Sequence, residues 1–252
     1  MADQEVPPEL GRLWRVPTAA RLGRPAALDV DRIVRTAVDL ADRDGLAGVT
    51  LAKVAKELGF TAMSLYRHVG SKDELFALMQ DQIGDPAPDI DTPPGQWREG
   101  VRRWALALRA LCEEHPWLSE LPVQGPPSGP NMIGWMDALL RALRDTGLSW
   151  GAKVGILQLV SGYVHQASSS ARQMAEGRRA SGLDQAETEQ AYGRALVGLV
   201  DPARYPEAAE LFSSDVFERP PDPAEDHDFT FGLELILDGI AAAIDAAGEE
   251  VD

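Results

Sequence analysis

The run TLAKVAKELGFTAMSLYRHV, residues Thr50–Val69, decides how the chain is read. Thr50 stands where a helix N-cap belongs, and Leu51, Val54, Ala55 and Leu58 follow at helical spacing. Gly59 supplies a sharp exit, and Thr61 can cap another helix only a few residues later. Leu51, Ala55 and Leu58 face inward from the first helix, while Phe60, Leu65 and Val69 anchor the second against the same core. The other face of the second helix presents Thr61, Ala62, Met63, Ser64 and Arg67. Two short helices at a fixed angle are what a helix-turn-helix requires, the first crossing the phosphate backbone and the second lying in the major groove. Many helical hairpins also turn on a glycine, so spacing alone leaves a plain structural hairpin open.

Working outward, Ile33, Val34, Ala37, Leu40 and Ala41 recur at helical spacing from Asp29, and that run closes at Asp44–Gly45. Downstream, Ser71 and Glu74 make a capping box that opens a helix through Leu75, Leu78, Met79 and Ile83 to Gly84. Residues 85–95 are crowded with Pro and Asp and mark the expected domain boundary. Residues 1–28, rich in Pro, Ala and Arg without apolar periodicity, are expected to be an extended or partly ordered basic arm. Further helices are expected over Gln96–His115, Pro130–Thr146, Ser149 to about Gly177, Asp184–Leu199, Pro206–Phe212 and Thr230–Ala247, with loops around Gly125–Pro130 and Arg219–Asp228. No segment alternates like a strand. The expected fold is all-α: an N-terminal three-helix helix-turn-helix domain (29–84) joined to a larger helical ligand-binding and dimerisation domain (95–252).

Charge fits that division. The chain carries a net −16, which disfavours indiscriminate binding to a polyanion unless the basic groups are gathered. Residues 1–85 hold 11 basic and 13 acidic side chains, a balance of −2 that leaves −14 to the rest. Arg12, Arg15, Arg21 and Arg24 stand between Leu10 and Leu28 with no acid among them. Such an arm can reach a narrow minor groove or serve as a solubilising tail. The single cysteine, Cys112, leaves no disulfide framework or multi-thiolate metal site, and the N-terminal residues lack the pattern of an export signal. The expectation is a cytoplasmic protein with no membrane partner, no cofactor and no metal. An enzyme is not expected: there is no nucleophile motif or phosphate loop, and His68, His115, His165 and His227 are scattered.

The second region has the apolar and aromatic walls, with few polar groups, that a pocket between helices needs. Trp104, Leu108, Leu111 and His115 lie on one expected helix, Met132, Trp135 and Met136 on the next, and Leu157, Ser161, Val164 and His165 on a third. Ordinary core packing produces the same stripes. The helix around Val154–Ala171 is uncharged around most of its circumference and so should be buried on more than one side. One side is expected to meet the pocket, while Gly155, Leu159, Gly162 and Gln166 allow close approach of another chain. The last helix has a stripe that includes Leu233, Ile236, Leu237 and Ile240, with Gly232, Leu235 and Gly239 beside it. Two such helices per subunit would form a four-helix interface across a two-fold axis, matching a palindromic site.

The run Ile33–Met79, above all TLAKVAKELGFTAMSLYRHVGSKDELFALM with its LYRHVGSKDEL stretch, resembles the N-terminal domain of the TetR family of repressors. FTFGLELILDGIAAAI, residues 229–244, resembles the terminal helix of the tetracycline-repressor type within that family. The resemblance implies a homodimer on double-stranded operator DNA, released by an apolar or drug-like small molecule. A ligand-independent architectural dimer and an activator are the alternatives. It implies phosphate contacts from Tyr66, His68 and Lys72, with Thr61, Met63, Ser64 and Arg67 as base readers; hydroxyl, imidazole and ammonium donors suit phosphate oxygens, and an arginine can read guanine or bind phosphate. Ala62 and the capping Thr50 complete the expected DNA-facing set. The helix Lys72–Gly84 is the expected mechanical link between the two functions. In the tetracycline subgroup a histidine at the position of His68 can also touch inducer, and one near His115 can ligate a drug-bound magnesium. The EEHPWL context of His115 departs from that pattern, so tetracycline itself is not implied, and the residues favour a plain helix-terminal histidine before Pro116 over a ligand contact.

Overall fold

The computed structural model describes residues 6–16, 28–122, 128–181, 185–217 and 227–249, and among these there are eleven α-helices and no strand. They are α1 (Pro8–Leu13), α2 (Val30–Asp44), α3 (Leu51–Leu58), α4 (Ala62–Val69), α5 (Lys72–Ile83), α6 (Trp97–Glu114), α7 (Pro130–Ala142), α8 (Trp150–Ser181), α9 (Gln185–Val197), α10 (Pro206–Ser213) and α11 (His227–Glu249). Two compact units compose the chain: residues 1–168 with 236–252, and residues 169–235. In the second unit, Tyr192 of α9 meets Phe212 of α10 edge-on, with centroids 5.8 Å apart.

In the first unit, side chains that start helices do so where short polar residues precede apolar periods. Asp29 accepts from the Arg32 N–H at 2.7 Å, Thr50 from Lys53 at 3.2 Å, Thr61 from Ser64 at 3.4 Å and Ser71 from Glu74 at 3.0 Å. The α3–α4 turn depends on Gly59, whose φ of +77° is left-handed, with the Phe60 N–H returning to the Ala55 carbonyl at 2.8 Å. A Cβ there would meet nothing within 4 Å, so the backbone alone penalises a side chain. Gly59→Ala is expected to lower unfolding free energy by about 1 kcal/mol in urea denaturation; an unchanged midpoint would contradict the role given to this turn.

The core of this region joins Ile33, Val34 and Ala37 of α2 to Val54 of α3, Leu65 and Val69 of α4, and Leu75, Leu78 and Met79 of α5. Trp117, only 1% exposed, enters the same core from a 3-10 turn over Pro116–Glu120 that comes directly after α6.

Three sequence expectations change. The N-terminal arm is helical over Pro8–Leu13, because Leu10 and Leu13 pack against this core, a contact that no local periodicity announces. Arg21 and Arg24 lie outside the described residues. The capping box at Ser71 is only half formed: Glu74 gives its carboxylate to Arg12 instead of turning back. The helix expected to reach Thr146 ends at Ala142, where the Thr146 hydroxyl donates to the Leu143 carbonyl at 2.8 Å before Gly147, at φ +71°, reverses the chain. The loop around Gly125–Pro130 lies outside the described residues over 123–127, as does the later loop over 218–226.

Candidate nucleic-acid interface and sensing region

The outer face of α4 and the start of α5 form one polar surface. Thr61, Met63 (68% exposed), Tyr66, Arg67 and Lys72 are exposed, and Ala62, Ser64 and His68 are half-buried. Leu65 and Val69, fully buried, fix α4 beneath them. The hydroxyls of Thr61 and Ser64 lie 3.0 Å apart, so capping and surface display share the same two groups. Thr50 accepts the Lys53 N–H and keeps its own hydroxyl proton to donate. Lys72 begins α5 and holds its ammonium 5.0 Å over the Phe76 ring. Tyr66, Arg67, His68 and Lys72 thus place a phenol, a guanidinium, an imidazole and an ammonium along one face, a donor set suited to phosphate oxygens and base edges.

The arm braces this face. The Arg12 guanidinium forms a two-pronged ion pair with Glu74, one prong being Nη2 to Oε2 at 2.7 Å. Arg15 donates to Asp31 of α2 at 2.8 Å, and the Trp14 indole donates to the Ser128 carbonyl, just before α7, at 2.8 Å. Two of the four arginines of the arm are therefore engaged within the protein.

Two carboxylates on the inner side tie α2 and α5 to the turn after α6 and to α7. Asp42 of α2 accepts from the Trp117 indole at 2.6 Å and bonds His115 Nδ1 at 2.8 Å. Asp81 of α5, buried, accepts the backbone N–H groups of Asn131 and Met132 at 3.0 and 3.1 Å, capping the N-terminus of α7. The Asn131 side-chain amide donates to the Asp81 carbonyl at 3.0 Å. Burial pushes the Asp81 carboxyl above its ordinary value, and the two N–H groups pull it part of the way back. A Cβ on Gly129 would collide with this carboxylate, so the glycine is what lets Asp81 reach the helix end. One turn on, Trp135 donates to the Gly84 carbonyl at 2.9 Å and Met132 packs on Gly84.

Of the residues expected around a pocket, Trp104 and Trp135 are brought together: their rings meet edge-on at 5.9 Å and the Trp104 indole donates to the Trp135 carbonyl at 2.8 Å. Both are buried, as are Leu108, Leu157 and Val164. Leu111, Met132, Met136, Ser161 and His165 are half-buried, and Ser161 returns its hydroxyl to the Leu157 carbonyl at 2.6 Å. His165 stands with Nδ1 3.6 Å from Cys112 Sγ. His115 does not join this group. It caps the C-terminal end of α6 before Pro116, as the helix-terminal reading has it, and its imidazole is engaged with Asp42 and leans on Trp117.

The interface expectation divides by helix. On α8, Gly155, Leu159 (53% exposed), Gly162 and Gln166 all face outward, opposite the buried Ile156, Leu157, Val160 and Val164. On α11, Leu233, Leu237 and Ile240 are buried and Ile236 half-buried, so the expected stripe serves the protomer's own core. The outward apolar residues there are Phe231 and Leu235, with Gly239 also exposed. The reason is the width of the apolar arc: α11 has apolar side chains on both sides, and periodicity does not say which side is inner. Sequence reasoning missed Asp42, Glu74 as the Arg12 partner, Asp81 and Trp117. Asp42 and Asp81 read as ordinary helix-surface acids, Glu74 reads as a capping-box partner of Ser71, and only Trp117, a large aromatic beside His-Pro, carries a visible signal.

Residues 33–79 match the family model for bacterial regulatory proteins of the tetR family, and residues 87–244 match that for the tetracyclin repressor-like C-terminal domain. The chain is 36% identical to the HTH-type transcriptional repressor DrrR1 of Streptomyces coeruleorubidus, covering 92% of this chain and 84% of that protein. Among solved structures it is similar to ActR of Streptomyces coelicolor in complex with actinorhodin, with a TM-score of 0.69 at 27% identity, over 86% of this chain and 98% of that one. It is also similar to BioQ bound to its double-stranded DNA operator, with a TM-score of 0.52 at 26% identity, over 60% of this chain and 90% of that one.

Proposed function

This chain belongs to the TetR family of bacterial transcriptional regulators, and from that premise we propose that it is a homodimeric repressor that holds a palindromic operator until a small molecule releases it. The observation that carries the mechanism is α5. Its first residue, Lys72, stands on the donor face, and Asp81 and Gly84 at its other end are bonded to α7. A ligand that displaces α7 therefore moves α5, and with it the register of α4 on DNA. It shifts the equilibrium only by binding the released state more tightly than the DNA-bound one. Tyr66, His68 and Lys72 are read as phosphate contacts and Thr61, Met63, Ser64 and Arg67 as base readers, with Ala62 close to the groove floor and Thr50 donating to the backbone. The exposed apolar face of α8 and the outward residues of α11 are read as the pairing surface. ActR with actinorhodin and BioQ with its operator supply the precedents for a small-molecule effector and for a duplex partner. No helix among the described residues is long and apolar enough to cross a membrane, which suits a regulator working in the cytoplasm.

The test is fluorescence anisotropy on the promoter DNA beside the protein's own gene, at several salt concentrations. Lys72→Ala is expected to weaken binding to every sequence alike and to reduce the slope of log affinity against log salt by about 1 for each subunit, so by about 2 for a dimer on its operator. An unchanged slope would remove Lys72 from the phosphate contacts.

A further inference from the structure

A polar knot lies inside the first unit, away from the DNA face. Cys112 near the end of α6, Ser119 in the 3-10 turn, and His165 and Ser168 on α8 converge there. Cys112 Sγ is 3.6 Å from His165 Nδ1, and the hydroxyls of Ser119 and Ser168 are near enough to the thiol to favour its ionised form. Both hydroxyl oxygens are buried, each less than 1 Å² exposed, and among the described residues neither completes a hydrogen bond. A buried hydroxyl without a bond is costly, and each of these can donate once and accept twice.

The knot carries no charge at neutral pH. Burial pushes the Cys112 thiol up, against the pull of the two serines, and the Glu113 carboxylate adds a smaller push in the same direction. Burial also pushes the His165 imidazole down. A carboxylate or ammonium placed there would be desolvated with no counter-charge. A neutral group that both donates and accepts would satisfy the hydroxyls. One turn before Cys112 and Ser168 stand the buried Leu108 and Val164, which offer apolar surface to whatever carries that group.

We propose that Cys112, Ser119, His165 and Ser168 form the polar anchor of the effector site, and that it takes the uncharged hydroxyl end of a molecule with an aromatic or apolar skeleton. This rests on reading the region after α5 as effector-sensing. Its test reads compound arrival at the knot and not release from DNA, so the two can fail separately.

Cys112 is the only cysteine in the chain, so the S–H stretching band in the infrared spectrum of the full-length protein reports this one site. The probes are 1-naphthol, naphthalene and 1-naphthoate, each taken to its solubility limit. 1-Naphthol is expected to shift the band, and naphthalene and 1-naphthoate to leave it in place. Ser119→Ala combined with Ser168→Ala is expected to weaken 1-naphthol binding about tenfold while leaving naphthalene binding unchanged. A band that 1-naphthol leaves in place in the wild type would overturn the proposal and leave an ordered water as the partner of the two hydroxyls. An equal shift with 1-naphthoate, or equal 1-naphthol affinity in the double variant, would overturn it as well. If the double variant does not fold, the wild-type comparison of the three compounds decides alone.

Discussion

Replacing Trp117 by alanine is expected to lower the free energy of unfolding by about 3 to 5 kcal/mol, the loss found when a buried tryptophan leaves a cavity. Trp117 sits 1% exposed among the side chains of α2 to α5, yet it belongs to the turn after α6. Its loss therefore removes core from the DNA-reading helices and cuts one of their ties to the rest of the unit in one step, while the Asp42–His115 and Asp81–α7 bonds remain. Trp117→Phe separates the two effects. The phenyl ring keeps most of the packing but cannot donate to Asp42, whose carboxylate then loses a bond made at 2.6 Å. Roughly 2 kcal/mol is expected from that loss, since the acceptor is charged. Urea denaturation followed by far-UV circular dichroism measures both variants. Equal stability of Trp117→Phe and wild type would show that the Asp42 bond contributes nothing.

The second large effect is expected at Asp81. Asp81→Ala removes the side chain that caps α7 and leaves the N–H groups of Asn131 and Met132 unbonded, for a loss of about 2 to 3 kcal/mol. Asp81→Asn keeps an acceptor oxygen and removes the buried charge, so its loss at neutral pH is expected to be about half that or less. The pH dependence has a definite sign. The carboxyl is raised in the folded state, so the folded protein binds the proton more tightly than the unfolded chain. Wild type should therefore gain stability relative to Asp81→Asn as pH falls through the raised value. The gain should be complete below the unfolded carboxyl value of about 3.9. Stability curves of the two proteins between neutral pH and acid check this, and a wild-type advantage that shrinks on acidification would contradict it.

These two residues also mark the limit of what the sequence makes legible. The helix-turn-helix was readable because its determinants are local: Thr50 and Thr61 as caps, Gly59 as the turn, and apolar residues spaced to one side. The all-helical second region was readable for the same reason, and on α8 Gly155, Leu159, Gly162 and Gln166, singled out by their spacing, lie together on one outward face. The joints between elements were not. Asp42 and Asp81 look like any acid on a helix until a partner some 50 to 75 positions away is folded against them. The Arg12–Glu74 pair spans 62 positions, and without it the arm shows no reason to be a helix. On α11 the apolar pattern is legible but its inner side is not: Leu233 and Leu237 are buried within the protomer, and an arc this wide fits a core and an interface equally well.

The most direct test is the binding of full-length protein to a labelled fragment of the promoter beside its own gene, with footprinting on the same fragment. The expected result is saturable binding of two chains per site at roughly 10 nM or tighter, with two protected half-sites about one helical turn apart. Tyr66→Ala combined with Lys72→Ala is expected to abolish this binding at physiological salt while leaving the helical content intact. Binding no tighter than to a scrambled fragment of equal length, or binding that the double variant retains, would contradict the reading of α4 and α5 as the operator-contacting surface.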